Sequence, residues 1–326
     1  MNNPKIVITK QDGIDQLVDP VGEGVLYLEP TGIHQINEVS DFITHKDDKV
    51  KYHIHDHGYE LFVMTKGSVE AILGGKRCVA NVGDMMLIKP YTPHAFRYRE
   101  DGTVWQELIQ QLSLFENERS IARILINCPD KLDDPEFMRL YQSRDGRIDY
   151  PEIPVMDTDL VNPAELPGFM CKEDYYKQFC IPGITWTLKY PRWELDGIKE
   201  IWEFIIDEGV TVNWGEHYHD SELFVVRQGS VKVEAQGFEP LTAYAEDIIH
   251  IPNYTAHRIT SLESGTVLHD YNCRHNLLLL LEELSINKRI NPDIVTDDYL
   301  EDLLLRYDCP ITEIRCAGNG FSFHMN

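Results

Sequence analysis

Tyr52-His53-Ile54-His55-Asp56-His57-Gly58-Tyr59-Glu60-Leu61-Phe62-Val63-Met64-Thr65-Lys66-Gly67 is the stretch on which the reading of this chain turns. Three histidines alternate, a glutamate follows, and an apolar run ends at a Lys-Gly turn. Side chains in a strand repeat with period two, so His-x-His sets two imidazoles side by side on one face of a sheet. Further on, Gly83-Asp84-Met85-Met86-Leu87-Ile88-Lys89-Pro90-Tyr91-Thr92-Pro93-His94 supplies a fourth histidine after another short apolar strand. Imidazoles and a carboxylate in this grouping form a donor set for a divalent transition metal, whereas a lone histidine is usually an ordinary surface or core residue.

The stretch occurs twice. His217-Tyr218-His219-Asp220-Ser221-Glu222-Leu223-Phe224-Val225-Val226-Arg227-Gln228-Gly229-Ser230-Val231 parallels His55 to Val69 at a constant offset of 162. Glu246-Asp247 to Tyr254-Thr255-Ala256-His257 parallels Gly83-Asp84 to Tyr91-Thr92-Pro93-His94 at an offset of 163, and Gly265-Thr266-Val267 parallels Gly102-Thr103-Val104 at the same 163. A register kept in this way marks an internal repeat of one folding unit.

The motifs resemble those of the cupin superfamily. The first family motif runs Gly, five residues, His-x-His, three or four residues, Glu, six residues, Gly; here His53, His55, Glu60 and Gly67 keep its spacing. The second runs Gly, five residues, Pro-x-Gly, two residues, His, three residues, Asn. Gly83 and His94 keep that spacing, while Lys89 stands for the Pro, Tyr91 for the Gly and Tyr98 for the Asn. The departures spare the ligand histidine and put the turn before it in question. The resemblance implies an all-β dominated chain of two cupin barrels (jelly-roll, or double-stranded β-helix) with a few flanking helices.

Two ligand sets are open in the first repeat. The family spacing selects His53, His55, Glu60 and His94. The internal repeat selects His55, His57, Glu60 and His94, because their counterparts are His217, His219, Glu222 and His257, whereas Gly215 stands opposite His53. We take the family spacing for the first barrel, which leaves His57 as a group beside the metal or a proton shuttle. The candidate metal ligands are then His53, His55, Glu60 and His94, with His217, His219, Glu222 and His257 in the second repeat. Glu60, Glu222 and His57 are the candidate catalytic groups. His34, His45, His250, His269, His275 and His324 lack such spacing and read as structural or exposed. Tyr91 and Tyr254, each three residues before the last ligand, read as turn residues, or as donors to a substrate oxygen.

The 326 residues suffice for two domains. The expected division is a barrel with a trailing helix at 1–125, a connector rich in Pro and Asp at 126–168, a second barrel at 169–275, and helices with a tail at 276–326. Ser113-Leu114-Phe115-Glu116 fits a capping box opening a helix to Ile124, and a short helix is expected from Pro135 to Tyr141. Asn276 to Ser285 reads as a Leu-rich helix and Thr296 as the cap of another to Arg306. The tail from Cys309 is apolar enough to pack on a barrel or a partner. Trp186, Trp193, Trp202 and Trp214 crowd the first half of the second unit and suggest an aromatic wall or interface.

A formal charge of −24 repels nucleic acid and anionic membranes, so neither is an expected partner. No run of eighteen apolar residues is present, and the N-terminus lacks the layout of a secretory signal. Seven scattered cysteines without a CxxC read as reduced thiols of a cytoplasmic protein. No phosphate loop or dinucleotide fingerprint is apparent.

An open His/Glu site suits one or two divalent ions, Fe(II) or Mn(II) first and Ni, Co or Zn as alternatives. The family resemblance then implies C–C bond cleavage in a small oxygenated ring, phenolic or cyclic 1,3-diketone, of dioxygenase type. Oxygen-independent hydrolysis of a cyclic 1,3-dione, sugar or keto-acid isomerisation, and non-catalytic ligand binding are the alternatives. The same resemblance implies a homodimer.

Overall fold

Alternation of inward apolar and outward polar side chains turns most of the described chain into strands. Ser230–Ala235 is typical: Val231, Val233 and Ala235 are buried while Lys232 and Glu234 face outward. The structure is a computed structural model and describes residues 5–19, 22–28, 37–46, 49–56, 58–110, 119, 123–125, 127–128, 130–131, 134–136, 160–216, 221–315 and 322–324. The expected capping box at 113–116 and most of the connector lie outside these residues, as do His34, His57, His217 and His219.

The chain folds as two compact units, each a barrel of two antiparallel sheets. In the first unit, Gly13–Asp174, a seven-stranded sheet orders Phe169–Met170, Met85–Ile88, Tyr59–Lys66, Thr103–Gln110, Asn37–Thr44, Gly22–Leu28 and Asp15–Asp19. Its companion orders Lys49–His53, His94–Tyr98, Ser68–Leu73 and Lys76–Asn81. Between the sheets, Phe62, Phe96 and Trp105 pack with ring centroids 4.6–5.1 Å apart.

The second unit repeats the plan. One sheet orders Val7–Ile8, Ile248–Ile251, Glu222–Gln228, Thr266–Cys273, Glu200–Ile206, Ile184–Tyr190 and Lys177–Ile181. The other orders Leu241–Tyr244, Ser230–Ala235, His257–Ser261, Thr211–Trp214, Ile311–Arg315 and Ser322–His324. The two-barrel expectation therefore holds, and the apolar tail adds strands to the second barrel.

The division of the chain differs from the one the sequence suggests. Val7–Ile8 pairs with Ile248–Ile251, so the first twelve residues belong with the C-terminal unit. Phe169–Met170 pairs with Met85–Ile88, so the change of unit falls at Asp174/Tyr175 rather than 168/169. In both cases a free sheet edge offers unpaired backbone N–H and C=O groups to a short passing segment.

Two helices follow the second barrel. Helix α1 (Leu277–Ile290) buries Leu277, Leu278, Leu280 and Leu281 on one stripe and ends with Lys288 and Arg289. Helix α2 (Asp297–Arg306) is capped by Thr296, whose side chain accepts from the N–H of Tyr299. Among the described residues the cysteines form no disulfide.

The glycine closing each first motif is fixed by space as well as conformation. Gly67 and Gly229 have φ of 76° and 78°, and a Cβ there would lie 2.7 Å from Thr103 Oγ1 and 2.6 Å from Thr266 Oγ1. The sequence repeat is thus a repeat of tertiary contacts.

Candidate metal centre

His53 ends the strand Lys49–His53 and sits directly across from His94, the first residue of its neighbour. His55, two residues on, falls on the same face. Glu60 comes from the opposing sheet, in Tyr59–Lys66, between Ile88 and Ile109. The two sheets of the barrel thus aim His53, His55, Glu60 and His94 at one point. All four are buried, and their ligand atoms lie within 4.8 Å of one another. Ring centroids are 4.1 Å apart for His53 and His94, 4.9 Å for His53 and His55, and 5.4 Å for His55 and His94.

His55 Nε2 is 3.0 Å from Glu60 Oε1, and His94 Nε2 is 3.1 Å from Glu60 Oε2. Burial alone would push the Glu60 carboxyl up; His55 and His94, when protonated, override it and hold the group well below the usual carboxylate range, and a cation between neutral rings and the carboxylate would supply the same positive charge. The Nδ1–H of His94 donates to the carbonyl of Thr92 at 2.9 Å, which leaves the Nε2 lone pair facing the carboxylate. Glu60 Oε2 and His94 Nε2 are close, yet not aligned to hydrogen-bond to each other. A neutral imidazole lone pair facing a carboxylate oxygen is an arrangement that a cation between them satisfies, so these residues fit a divalent metal. Among the described residues it is the family-spacing set that is brought together; His57, which distinguishes the other set, lies outside them.

The turn before His94 forms despite its unusual residues. Tyr91 takes φ 63°, the left-handed conformation for which glycine is the usual choice, and Tyr254 takes φ 60° in the second barrel. That conformation costs an L-residue about 1 kcal/mol or more. The Tyr91 N–H donates to the carbonyl of His55 at 2.8 Å, so the strained turn ties one ligand segment to the next. Tyr98, in place of the usual Asn, is buried with its ring 5.2 Å from Trp105.

The second barrel departs from the first. His257 Nε2 is 2.7 Å from Glu222 Oε2, and its Nδ1–H donates to the Thr255 carbonyl at 3.1 Å, as in the first barrel. The residue paired with His257 across the sheet is Trp214, in the place where His53 faces His94. Its indole stacks on the imidazole at 4.9 Å and 7°. On the other side of Glu222, His275 Nε2 lies 3.4 Å from Oε1 while its Nδ1–H donates to the carbonyl of Asp308 at 3.0 Å.

His275 read as structural or exposed in the sequence; it is instead a neighbour of the second glutamate. The internal repeat could not find it, since its counterpart is Leu112. Asp270 is deeply buried nearby, and burial, then the charge of Glu222, push its carboxyl well above the usual range. His269, the residue before it, is buried and structural: Tyr271 Oη donates to Nδ1 at 2.7 Å, and Nε2–H donates to Glu203 at 2.9 Å.

Of the tryptophans, Trp202 is in the core, Trp193 is exposed beside Tyr176, and Trp186 and Trp214 line a cleft inside the second barrel.

A cupin domain model matches residues 42–104, the segment that carries the first centre. No curated protein matches the chain in sequence. Among solved structures, a tryptophan-to-tyrosine variant of the oxalate decarboxylase of Bacillus subtilis superposes with a TM-score of 0.53 at 11% identity, covering 93% of this chain and 87% of that one. A further Bacillus subtilis oxalate decarboxylase structure, from work on the EPR fine structure of its Mn(II) centres, has the same TM-score of 0.53, identity of 11% and coverage of 93% and 87%. The formate complex of Lactobacillus farciminis oxalate decarboxylase gives 0.54 at 13% identity, covering 92% and 97%. At these identities the likeness establishes the fold, a two-barrel cupin architecture.

Proposed function

We propose that this chain, a two-barrel cupin by fold with a cupin domain at 42–104, is a divalent-metal-dependent enzyme that cleaves a C–C bond in a small oxygenated substrate. The observation that carries the reading is the convergence of His53, His55, Glu60 and His94, buried, within 4.8 Å. A divalent metal held there, Mn(II) or Fe(II) before Ni, Co or Zn, supplies a Lewis acid for an enolate, a phenolate or paired oxygens. The similar solved structures are of oxalate decarboxylases, one of them described as having Mn(II) centres, which supports both the metal and the class of bond broken.

The protein's own groups have distinct tasks in this reading. Thr92 holds the His94 ring in one orientation through Nδ1–H. Glu60, kept ionised by its histidine neighbours, is the carboxylate donor of the set and remains the candidate catalytic carboxylate. The apolar shell of Phe62, Ile88 and Phe96 limits water around it. His57 remains a candidate proton shuttle, and Glu222 and His257, with His217 and His219, a candidate second centre.

Within this class the finer reading is dioxygenase-type opening of a phenolic or cyclic 1,3-diketone ring. Oxygen-independent hydrolysis is the nearest alternative, and decarboxylation enters beside it from the similar structures. The reading extends to a cytoplasmic homodimer with neither nucleic-acid nor membrane partner, in keeping with a charge of −24. Among the described residues no helix is long and apolar enough to cross a membrane.

Elemental analysis of the purified chain, paired with aerobic and anaerobic turnover of phenolics, cyclic diketones and oxalate, tests the proposal. Bound Mn or Fe with oxygen-dependent ring opening supports the finer reading. Turnover without oxygen assigns a hydrolase or a decarboxylase. No metal after reconstitution refutes the enzyme reading.

A further inference from the structure

The inner face of the first barrel carries polar side chains that the metal ligands do not account for. Glu107 lies between Ser40 and Phe62 on neighbouring strands, and Ile109 lies between Glu38 and Glu60. Residues paired across antiparallel strands share a face, and so do residues two apart on one strand. That face is the inner one. Trp105, two residues from Glu107, stacks on Phe62 at 4.6 Å, and Phe42, two residues from Ser40, packs against the same core. Glu38 and Ser40 are fully buried, and Glu107 is 4% exposed. Glu107 is thus a diagonal neighbour of Glu60, at the separation of about 7–8 Å that long side chains bridge.

The second barrel repeats this row. Asp270 lies between Trp202 and Phe224, as Glu107 lies between Ser40 and Phe62, and Glu200 corresponds to Glu38. Burial first, and then the charge of Glu222, push the Asp270 carboxyl up, with Glu200 adding to them and Lys199 opposing. A carboxyl at this place therefore feels the glutamate of the motif. The rows differ in what meets them. Trp202 is fully buried and donates from Nε1 to Glu200 Oε2 at 2.9 Å, and the Leu278 N–H donates to the same oxygen at 3.2 Å. The second barrel uses its carboxyl to hold its own core together. The first barrel has the hydroxymethyl of Ser40 where the second packs that indole, and Ser40 Oγ finds no hydrogen-bond partner among the described residues. A buried hydroxyl without a partner is costly and calls for an explanation. A ligand hydroxyl supplies one, since it accepts from Ser40 and donates to a carboxyl oxygen beside it.

We infer that Ser40 and Glu107, with Glu38 next to them, form a polar subsite of the first centre that binds a hydroxyl group of the substrate. The inference rests on the metal reading of that centre and narrows its substrate class to a ring with several hydroxyls. A dione bound as its enolate, and a dicarboxylate, bring only acceptors to a subsite built largely of acceptors.

The test is calorimetry on the Mn(II)-loaded, full-length protein without oxygen, with catechol, pyrogallol and oxalate, in wild type, Ser40→Ala and Glu107→Gln. Two adjacent oxygens of either phenol suffice for the metal, and pyrogallol keeps a third hydroxyl for the subsite. Wild type should bind pyrogallol about tenfold more tightly than catechol, and each variant should lose that preference while its affinity for oxalate does not fall. Urea unfolding of Ser40→Ala should give a midpoint no lower than wild type, because the hydroxyl removed has no partner to lose. Equal affinity for the two phenols in wild type, or an unchanged preference in either folded variant, overturns the inference. So does an equal loss of oxalate affinity, which would place the effect at the metal. A destabilised Ser40→Ala with its preference intact overturns it as well, as expected of a hydroxyl that only holds a structural water. Circular dichroism checks folding; where Glu107→Gln is unfolded, Ser40→Ala decides. Failure of the wild type to take up Mn(II), or Fe(II) in its place, refutes the metal reading and this inference together, whereas uptake without the pyrogallol preference refutes this inference alone.

Discussion

His269→Gln should flatten the acid limb of this protein's stability curve. His269 is buried, and burial, only partly countered by its hydrogen bond to Glu203, lowers its folded-state pKa from 6.5 to about 4. Arg227 donates to Tyr271 Oη at 2.8 Å, Tyr271 donates to His269 Nδ1, and His269 donates to Glu203, so the chain of bonds is complete with a neutral imidazole.

The unfolded chain therefore binds a proton near pH 6.5 that the folded chain refuses until about pH 4. Stability from this group is present above pH 6.5 and lost as pH falls toward 4. At about 1.4 kcal/mol per pKa unit the whole effect is about 3 kcal/mol, of which about 2 kcal/mol falls between pH 7 and pH 5. Glutamine is the residue that the first barrel has at the same place, where Gln106 donates to buried Asp41 at 3.3 Å. It keeps a donor for Glu203 and does not titrate.

Urea unfolding of both proteins at pH 7, 6 and 5 measures the difference. The wild type should lose about 2 kcal/mol more than the variant across that range. Glu203, whose own carboxyl is lowered from the usual value because His269 and Lys189 outweigh its burial, titrates below this window. Parallel curves for the two proteins would refute the assignment of the acid limb to His269.

Other expected outcomes follow from the same contacts. Gly229→Ala puts a Cβ 2.6 Å from Thr266 Oγ1 at φ 78°, and should cost about 1–3 kcal/mol in chemical denaturation. Thr296→Ala removes the cap of helix α2 and should cost about 1 kcal/mol, read as a lower denaturation midpoint. His94→Ala takes away one of four converging donors, so metal content per chain measured by elemental analysis should fall by more than tenfold at the first centre; full occupancy in that variant would remove His94 from the ligand set.

The ligands of the first centre were legible because their geometry is local. His53 and His55 share a face by the period of a strand, and Gly67 and Gly83 mark the turns that bring Glu60 and the His94 strand alongside. The ambiguity between the family spacing and the repeat came from Gly215 standing opposite His53 in the sequence offset. Strand pairing aligns the two barrels one residue away from that offset, setting Trp214 opposite His257 as His53 is set opposite His94. The ends of the two units were not legible, since a two-residue strand such as Val7–Ile8 carries little pattern of its own and is held by the edge it joins.

The sequence by itself determined that this is a repeated β-barrel chain with a His/Glu donor set, because period-two alternation, turn glycines and ligand spacing are properties of neighbouring residues. Only the tertiary structure decided that His275 meets Glu222 and that the aromatic residues Trp186, Phe204 and Trp214 share a cleft. Those residues lie on different strands, or just past the last one, and what brings them together is the closing of two sheets over a common core, a contact between residues distant in the chain that no local pattern encodes.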